Sequence, residues 1–192
     1  MINFEIIETR QLWLKGLSPY EMKNIFENHT KPEIKKILGH RSEEDFLKEE
    51  SKHKNGYSSY NRSFMVFLLT DKTTNSIIGR CGLHNWNIEH KRAEIGYVME
   101  DENYKQKGLM SEAIKAIIEY GFNKMNLNRI EALVSTENIP SLKLLKKFKF
   151  NKEGVLKQHY KTEDRFENSA LFSILYNEYI NDKNEKTQAF LR

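Results

Sequence analysis

Cysteine, proline and long apolar runs are all scarce in this chain. Its 192 residues include one cysteine, Cys81, and three prolines. A single cysteine excludes an internal disulfide, and its apolar neighbours at residues 77–83 favour a buried strand thiol over a nucleophile. The longest apolar stretch, residues 64–70, has the length of a strand and is too short to cross a membrane. The first residues show no signal-peptide pattern, so we expect a cytoplasmic protein.

An excess of charge of one sign is also missing. The chain has 31 basic and 27 acidic residues, which gives a net charge of +4. Its densest basic stretch, residues 143–149, is interrupted by leucine and phenylalanine, so these lysines face either a phosphate of a small ligand or plain solvent. Nucleic-acid binding needs a larger segregated basic face, and we expect no such partner. The six histidines show no metal-ligand spacing, and we expect no metal.

Hydrophobic periodicity predicts one mixed domain over residues 1–180, with a polar, frayed or appended tail at 181–192. The predicted order is β–α–α–β–β–β–α–β–α–β–β, with a polar loop at residues 56–62. Residues 64–99 give an antiparallel meander, whereas the strand–helix–strand unit at 93–135 requires a parallel pair. The fold class is therefore mixed α/β (α+β), with helices flanking a largely antiparallel central sheet.

The most informative segment is the polar stretch at residues 104–113, which contains Gly108 and leads directly into a helix. It follows a predicted strand at residues 93–99. Such a joint presents free backbone N–H groups at the positive end of a helix, which suits a phosphate or pyrophosphate. Taken alone, Gly108 favours an ordinary glycine at a helix start, and only the motifs that flank it favour an anion site.

Several ordered motifs carry a resemblance to a known family. They are Glu8-Thr9-Arg10 with Leu12 and Leu14, residues 92–97, residues 104–113, residues 128–132, Asn138-Ile139-Pro140-Ser141 with Leu145 and Phe150, and residues 153–156. This series resembles the GNAT superfamily of acyl-CoA-dependent N-acyltransferases. Within it, the chain is similar to the branch named for the Rim enzymes, which acetylate ribosomal-protein N-termini. The chain departs from the family pattern at Lys105 and Met110 in the loop and at Lys149, where a glycine is usual.

The resemblance implies acetyl-CoA as co-substrate, with its pyrophosphate held mainly by backbone amides of the loop. Lys105 or Lys107 would add positive charge, and strand amides would stabilise the oxyanion. Asn138 also has the position of a helix N-cap, so capping and cofactor contact are both open. The implied cofactor-binding residues are Val98, Met99, Lys105, Gln106, Lys107, Gly108, Leu109, Met110, Ser111, Asn138 and Ser141.

The resemblance also implies a general acid. Ser141 has the position from which Rim-type relatives are thought to protonate the departing CoA thiolate. Many other members of the superfamily use a tyrosine four residues later, and that position is Leu145 here. We therefore expect Ser141 to be the acid, acting through a shared hydrogen bond.

The general base has three candidates. Glu94 lies on the central strand and could act through water, although a structural carboxylate paired with Arg92 or Arg129 is the alternative. His159 is the second candidate, because histidine is a common general base, and its alternative is a surface strand residue. His84 is the third candidate, on the acceptor side.

The implied reaction is transfer of an acetyl group to a primary amine by direct attack on the thioester. We expect a protein N-terminal α-amine as acceptor, with a small amine (polyamine, amino sugar or antibiotic) as the alternative. A non-catalytic CoA-binding regulatory module is the alternative of another class, and the presence of Asn138 and Ser141 argues against it. We expect acceptor preference to reside in the first two helices and the loop to Arg62, and the protein to be a monomer or homodimer.

Overall fold

The structure is a computed structural model that describes residues 2–57 and 61–190, with only the backbone described at 186–190. Its strands are β1 (Ile6–Glu8), β2 (Leu12–Leu17), β3 (Ser63–Asp71), β4 (Ile77–Asn87), β5 (Arg92–Met99), β6 (Arg129–Ser135), β7 (Asn151–Lys161) and β8 (Phe166–Leu175). Its helices are α1 (Pro19–Asn28), α2 (Lys31–Leu38), α3 (Glu43–Asn55), α4 (Leu109–Asn123), α5 (Ile139–Lys147) and α6 (Tyr176–Phe190).

The strands form one sheet in the order β1-β2-β3-β4-β5-β6-β8-β7. All neighbouring strands are antiparallel except β5 and β6, which are parallel as predicted. The prediction of a mixed, largely antiparallel fold is confirmed.

Alternate residues of the central strands face two separate cores. Phe67 and Leu69 of β3 pack into the larger core, which includes Ile114 and Ile117 of α4. Leu68, between them, packs instead into a smaller core with side chains of α1, α2 and α3. Each of these three strand side chains is fully buried, which stabilises the fold by about 1.5–3 kcal/mol per side chain. The sheet is thereby fixed between α4 and the α1–α3 layer.

The parallel strands β5 and β6 separate after a short contact. They pair only at Arg92↔Arg129, Ala93↔Ile130 and Glu94↔Glu131. Beyond Glu94, β5 continues along β4 as far as Met99, while β6 continues along β8 as far as Ser135. A gap therefore opens between β5 and β6, and the backbone of residues 95–99 borders it.

The structure contains three elements that the sequence prediction missed: the strand β1 and the helices α2 and α6. Helix α2 begins with a capping box between Thr30 and Glu33 and ends at Gly39, which adopts a φ of 73°. Residues 181–190 of the tail predicted to be frayed or appended are helical, because α6 extends over Tyr176–Phe190. Tyr179 packs on Phe122, with ring centroids 4.9 Å apart. Residues 191–192, like residues 58–60 of the predicted polar loop, lie outside the described residues.

Two expectations from the scarce features can be examined directly. Cys81 is fully buried in β4, and burial raises the pKa of its thiol, in agreement with a structural role. Across residues 2–57 and 61–190, no helix has the length and apolar character needed to span a membrane.

Candidate active site

The loop between β5 and α4 has the backbone geometry of an anion site. Gln106 and Gly108 both adopt the left-handed region, with φ values of 59° and 79°. Gly108 is the residue that precedes α4, and the first helical hydrogen bond runs from the Glu112 N–H to the Gly108 carbonyl at 3.0 Å. The amides of residues 109–111 therefore lack helical acceptors and lie at the positive end of the helix.

Gly108 is surrounded by open space. A Cβ built at this position meets no atom within 4 Å, so packing does not require the glycine. Its φ of 79° does favour glycine, and a side chain there would extend into the space beside the free amides. The open loop and its unbonded amides fit a bound pyrophosphate.

The loop forms one wall of a cleft of about 610 Å³, which the part of β5 that borders the gap also lines. Tyr97 lies on the β5 wall, and α5 provides the opposite wall along its whole length. Most residues predicted to bind the cofactor line this cleft: Val98, Met99, Lys105, Gln106, Gly108, Leu109, Met110, Ser111, Asn138 and Ser141. Lys107 is the exception, because its ammonium lies 5.4 Å from the Tyr104 ring centre and lines a neighbouring depression.

Positive charge reaches the cleft from α5. Lys143 and Lys147 lie one helical turn apart and both line it. Lys105 also lines the cleft, but its ammonium pairs with Glu102. Lys149, which stands where the family usually has glycine, adopts a φ of 62° just after the helix. Two of the lysines at residues 143–149 are therefore placed to meet a phosphate.

The start of α5 holds the predicted acid in place. The Ser141 N–H donates to the Asn138 side-chain oxygen at 3.2 Å, so Asn138 is the N-cap of α5. Burial raises the pKa of the nearby Tyr97 phenol, and a hydrogen bond with Ser141 partly offsets that rise. Leu145, at the position where other relatives carry tyrosine, is buried in the larger core. Ser141 and Tyr97 therefore form a pair of hydroxyl groups at the cleft.

Sequence reasoning missed Tyr97 as a site residue. It alternates with Ile95 and Met99 along β5, and those three side chains share one face of the strand. That alternation could have placed Tyr97 on the helix-covered face, but only the tertiary structure brings it to Ser141.

Glu94 lies on the opposite face of β5 and is nearly buried, with a relative exposure of 9%. Its carboxylate accepts a hydrogen bond of 3.0 Å from the Asn85 side-chain amide. The His84 Nε2 atom lies 3.8 Å from Glu94 Oε1. The predicted base and one of its two rival histidines are therefore neighbours.

The alternative role for Glu94, pairing with a nearby arginine, is wrong. Arg92 donates to Glu131 at 3.1 Å, and Arg129 donates to Glu131 at 2.8 Å. Arg129 also forms a two-pronged pair with Glu153, which pulls its guanidinium towards β7. Both arginines are thus used in holding strands together.

A bulge in β4 allows two consecutive residues to reach Glu94. The register passes from His84↔Glu94 to Asn87↔Arg92, and Asn85 within the bulge has a φ of 50°. Gly96 leaves the room that the histidine ring needs, because a Cβ there would lie 2.8 Å from His84 Nε2. The β4 bulge and the space at Gly96 therefore place His84 and Asn85 beside the Glu94 carboxylate.

His159, the other candidate base, is held by β8. Its Nδ1 atom lies 3.2 Å from the Ser169 hydroxyl, and its ring meets Tyr160 edge-on at 4.6 Å. Tyr160 of β7 is influenced electrostatically by Glu94. Burial raises the pKa of the Tyr160 phenol, and the negative charge of Glu94 raises it further. Tyr160 is a second residue near the site that sequence reasoning missed.

The strand β5 thus separates two chemical functions. One face carries a buried carboxylate beside an imidazole, and the other carries the Tyr97 phenol close to the Ser141 hydroxyl. Backbone N–H groups of the strand edge lie between them at the gap. A carbonyl compound held in the gap would meet a proton acceptor on one side and proton donors on the other.

Comparison with known proteins agrees with this geometry. Residues 11–151 match the family described as the acetyltransferase (GNAT) domain. The Bacillus licheniformis protein described as "Uncharacterized N-acetyltransferase p20" is 45% identical over 113 residues, or 59% of this chain and 63% of its own length. The Bacillus subtilis protein described as "Uncharacterized N-acetyltransferase YoaA" is 32% identical over 157 residues, or 81% of this chain and 88% of its own length.

Solved structures share the fold. Mutant forms of the spermidine/spermine N-acetyltransferase SpeG from Vibrio cholerae superpose with a TM-score of 0.67 at 22% identity, covering 91% of this chain and 99% of that one. The ribosomal-protein-S5-alanine acetyltransferase from Vibrio fischeri gives a TM-score of 0.65 at 22% identity, covering 91% and 98%. The matched domain spans most of this chain and contains the gap, the loop and the residues on both faces of β5. The chain therefore belongs to the GNAT family and is an N-acetyltransferase.

Proposed function

We propose that the protein acetylates the N-terminal α-amine of a protein substrate, with acetyl-CoA as the donor. The observation that carries this proposal is the gap between β5 and β6, which has the loop cleft on one side and the Glu94 carboxylate on the other. Proton-transfer groups on both faces argue against a module that only binds CoA.

The GNAT domain implies acetyl-CoA as co-substrate, and the residues present fit it. The amides of residues 109–111 would hold the pyrophosphate, and Lys143 and Lys147 would add charge to the same cleft. Bound acetyl-CoA supplies an acetyl group activated as a thioester.

The protein's own groups then manage charge and protons. Glu94 accepts the proton of the attacking amine, directly or through water. The His84 imidazole lies beside the Glu94 carboxylate and helps to hold it in position. The amide of Val98 or Met99 donates to the acetyl oxygen. Ser141, backed by Tyr97, donates towards the leaving sulfur. His159 remains a predicted base without a contact to Glu94 that the structure describes.

The N-terminal acceptor rests on the Rim-type motifs and on likeness to the ribosomal-protein acetyltransferase structure. A second candidate, a small amine such as a polyamine, is favoured by the likeness to the spermidine/spermine enzyme. Both candidate functions require the same chemistry at Glu94, so only an assay that compares acceptors distinguishes one function from the other.

Thiol release from acetyl-CoA, measured with peptides that carry a free or a blocked N-terminus, tests this proposal. A peptide with a free α-amine should release thiol and gain one acetyl group by mass, and the same peptide with a blocked α-amine and a free internal lysine should not. Equal rates with both peptides, or release with small amines alone, would refute the N-terminal acceptor.

A further inference from the structure

A second pocket lies on the Glu94 face of the sheet. It has a volume of about 410 Å³ and lies between α1, α3 and the strands β3 and β4. Leu17, Met22, Phe64 and Val66 form its apolar wall. His84 lines it as well, and the same imidazole lies 3.8 Å from Glu94, so the pocket adjoins the proposed base. Its size suits a small organic group.

The carboxylate inside this pocket is already neutralised. Glu49 is nearly buried, with 8% exposure, and its Oε2 atom lies 3.5 Å from Arg80 and 3.4 Å from Lys52. Arg80 is in turn 3.3 Å from Glu100. The charges around the pocket are therefore paired, with Lys52 and Arg80 against Glu49 and Glu100, and a ligand ammonium would meet no unpaired carboxylate among the described lining residues.

Two neutral groups lie in the lining or directly behind it. Burial raises the pKa of the Tyr57 phenol, which lines the pocket, stays protonated and donates to the Glu49 backbone carbonyl at 3.4 Å. Burial likewise lowers the pKa of His40, behind the lining next to Arg80, and keeps that imidazole neutral at physiological pH. Neither group attracts a positive charge.

The Glu94 carboxylate differs from Glu49 in its partners. The contacts that the structure describes for it are to the Asn85 amide and the His84 imidazole, and neither is a fixed cation. One ammonium can therefore be stabilised beside Glu94, which would accept its proton before the neutral amine attacks the thioester. Further ammonium groups on the same molecule would enter a pocket with an apolar wall and no unpaired carboxylate among its described lining residues, so their loss of hydration would not be offset.

From this distribution of charge we propose that the acceptor is an amine with one positive charge, attached to an apolar group that occupies the pocket of Leu17, Met22, Phe64 and Val66. Polyamines are poor acceptors on this account. The proposal rests on the proposed N-acetyltransferase function and specifies its acceptor class. Two sources carry this chemistry: a peptide N-terminus with an apolar first residue, and a small apolar monoamine.

Thiol release with four acceptors tests the acceptor class. They are a peptide that begins with leucine, the same peptide beginning with lysine, 2-phenylethylamine and spermidine. The leucine peptide, 2-phenylethylamine or both should exceed spermidine in kcat/KM by about tenfold or more, and the leucine peptide should exceed the lysine peptide. Release with the peptide alone identifies a protein N-terminus, and release with the monoamine alone identifies a small molecule. Spermidine equal to or better than both would overturn the proposal.

Charge reversal in the pocket gives an independent test. Lys52→Glu removes one neutralising cation and should raise kcat/KM for spermidine by about tenfold. Lys54→Glu is the matched control, because Lys54 is similarly exposed on the same helix but pairs with Glu50 outside the pocket. An equal effect of the two variants on spermidine would contradict the assignment of this pocket to the acceptor.

The failure of this inference is distinguishable from failure of the proposed function. Thiol release with spermidine as the best acceptor would leave an active N-acetyltransferase with a different acceptor class. Absence of release with all four acceptors and with the free N-terminal peptides would contradict both the function and the inference.

Discussion

The His84 imidazole lies against Gly96, and a single methyl group at residue 96 would collide with it. A Cβ built on Gly96 is 2.8 Å from His84 Nε2 and 3.0 Å from its Cδ2. We expect Gly96→Ala to push the ring away from Glu94 and to lower kcat/KM for the acceptor about tenfold or more, with little change in the Kd of acetyl-CoA. Steady-state kinetics and a cofactor titration measure the two effects.

Gly154→Ala is the control for this substitution. Gly154 lies in β7, and a Cβ there meets nothing within 4 Å. Kinetics unchanged by both glycine substitutions would show that the position of His84 does not matter for acceptor use.

Replacement of the proposed base should affect turnover more than binding. Glu94→Gln keeps the shape of the side chain and its contact with Asn85 but removes the proton acceptor. We expect kcat to fall by about 10²-fold or more, with the Kd of acetyl-CoA nearly unchanged. Pre-steady-state or steady-state thiol release at saturating donor gives kcat. A variant that retains wild-type kcat would assign the base to another group, with His159 the next candidate.

The hydroxyl pair on the other face should act as a unit. Ser141→Ala and Tyr97→Phe are each expected to lower kcat about tenfold or more while the affinity for acetyl-CoA stays close to that of the wild type. Because the two hydroxyls lie close enough to influence each other, the double variant should lose less than the product of the single losses. Strictly multiplicative losses in the double-mutant cycle would show that the two groups act independently.

Stability at low pH should depend on the ion pair between Arg129 of β6 and Glu153 of β7. Hydrogen bonds from Arg129 and Ser173 lower the pKa of Glu153 from 4.5 to about 2. A lowered pKa in the folded state stabilises the protein above the unfolded value, and this contribution is lost as the pH falls from 4.5 towards 2. We expect Glu153→Gln to cost about 0.5–1 kcal/mol at pH 7, because the pair is partly exposed.

Thermal melts of both proteins between pH 7 and pH 2.5 measure this dependence. The difference in Tm between wild type and Glu153→Gln should shrink as the pH falls. The control is Glu163→Gln, an exposed residue in the turn between β7 and β8, which should leave the acid profile unchanged. A constant Tm difference for Glu153→Gln at all pH values would contradict the assigned ion pair.

Local sequence signals predicted the framework of the fold. The meander, the parallel crossover and the cap at Asn138 all rest on periodicity and capping chemistry, and the structure confirms them. Helix α2 carried the same kind of signal, a Thr30 cap with a nearby proline, but was overlooked. Strand β1 and helix α6 gave weaker signals, since β1 has three residues and α6 is mostly polar.

The site was predictable only in part, for a physical reason. Backbone features such as the Gly108 loop belong to one continuous segment, so the sequence displays them directly. The neighbours of Glu94 depend on the β4 bulge at Asn85, and Tyr97 meets Ser141 only after α5 packs beside β5. Contacts of this kind join distant segments and leave no local pattern.

The most direct test of the whole account measures acetyl transfer and its dependence on the loop. Wild-type protein, acetyl-CoA and a peptide with a leucine N-terminus should give a product heavier by one acetyl group, located on the α-amine by fragment mass spectrometry. Gly108→Glu should abolish this product and the rise in Tm caused by acetyl-CoA, since a carboxylate would occupy the anion site. No acetylated product with the wild type, or an undiminished rate with Gly108→Glu, would contradict the account.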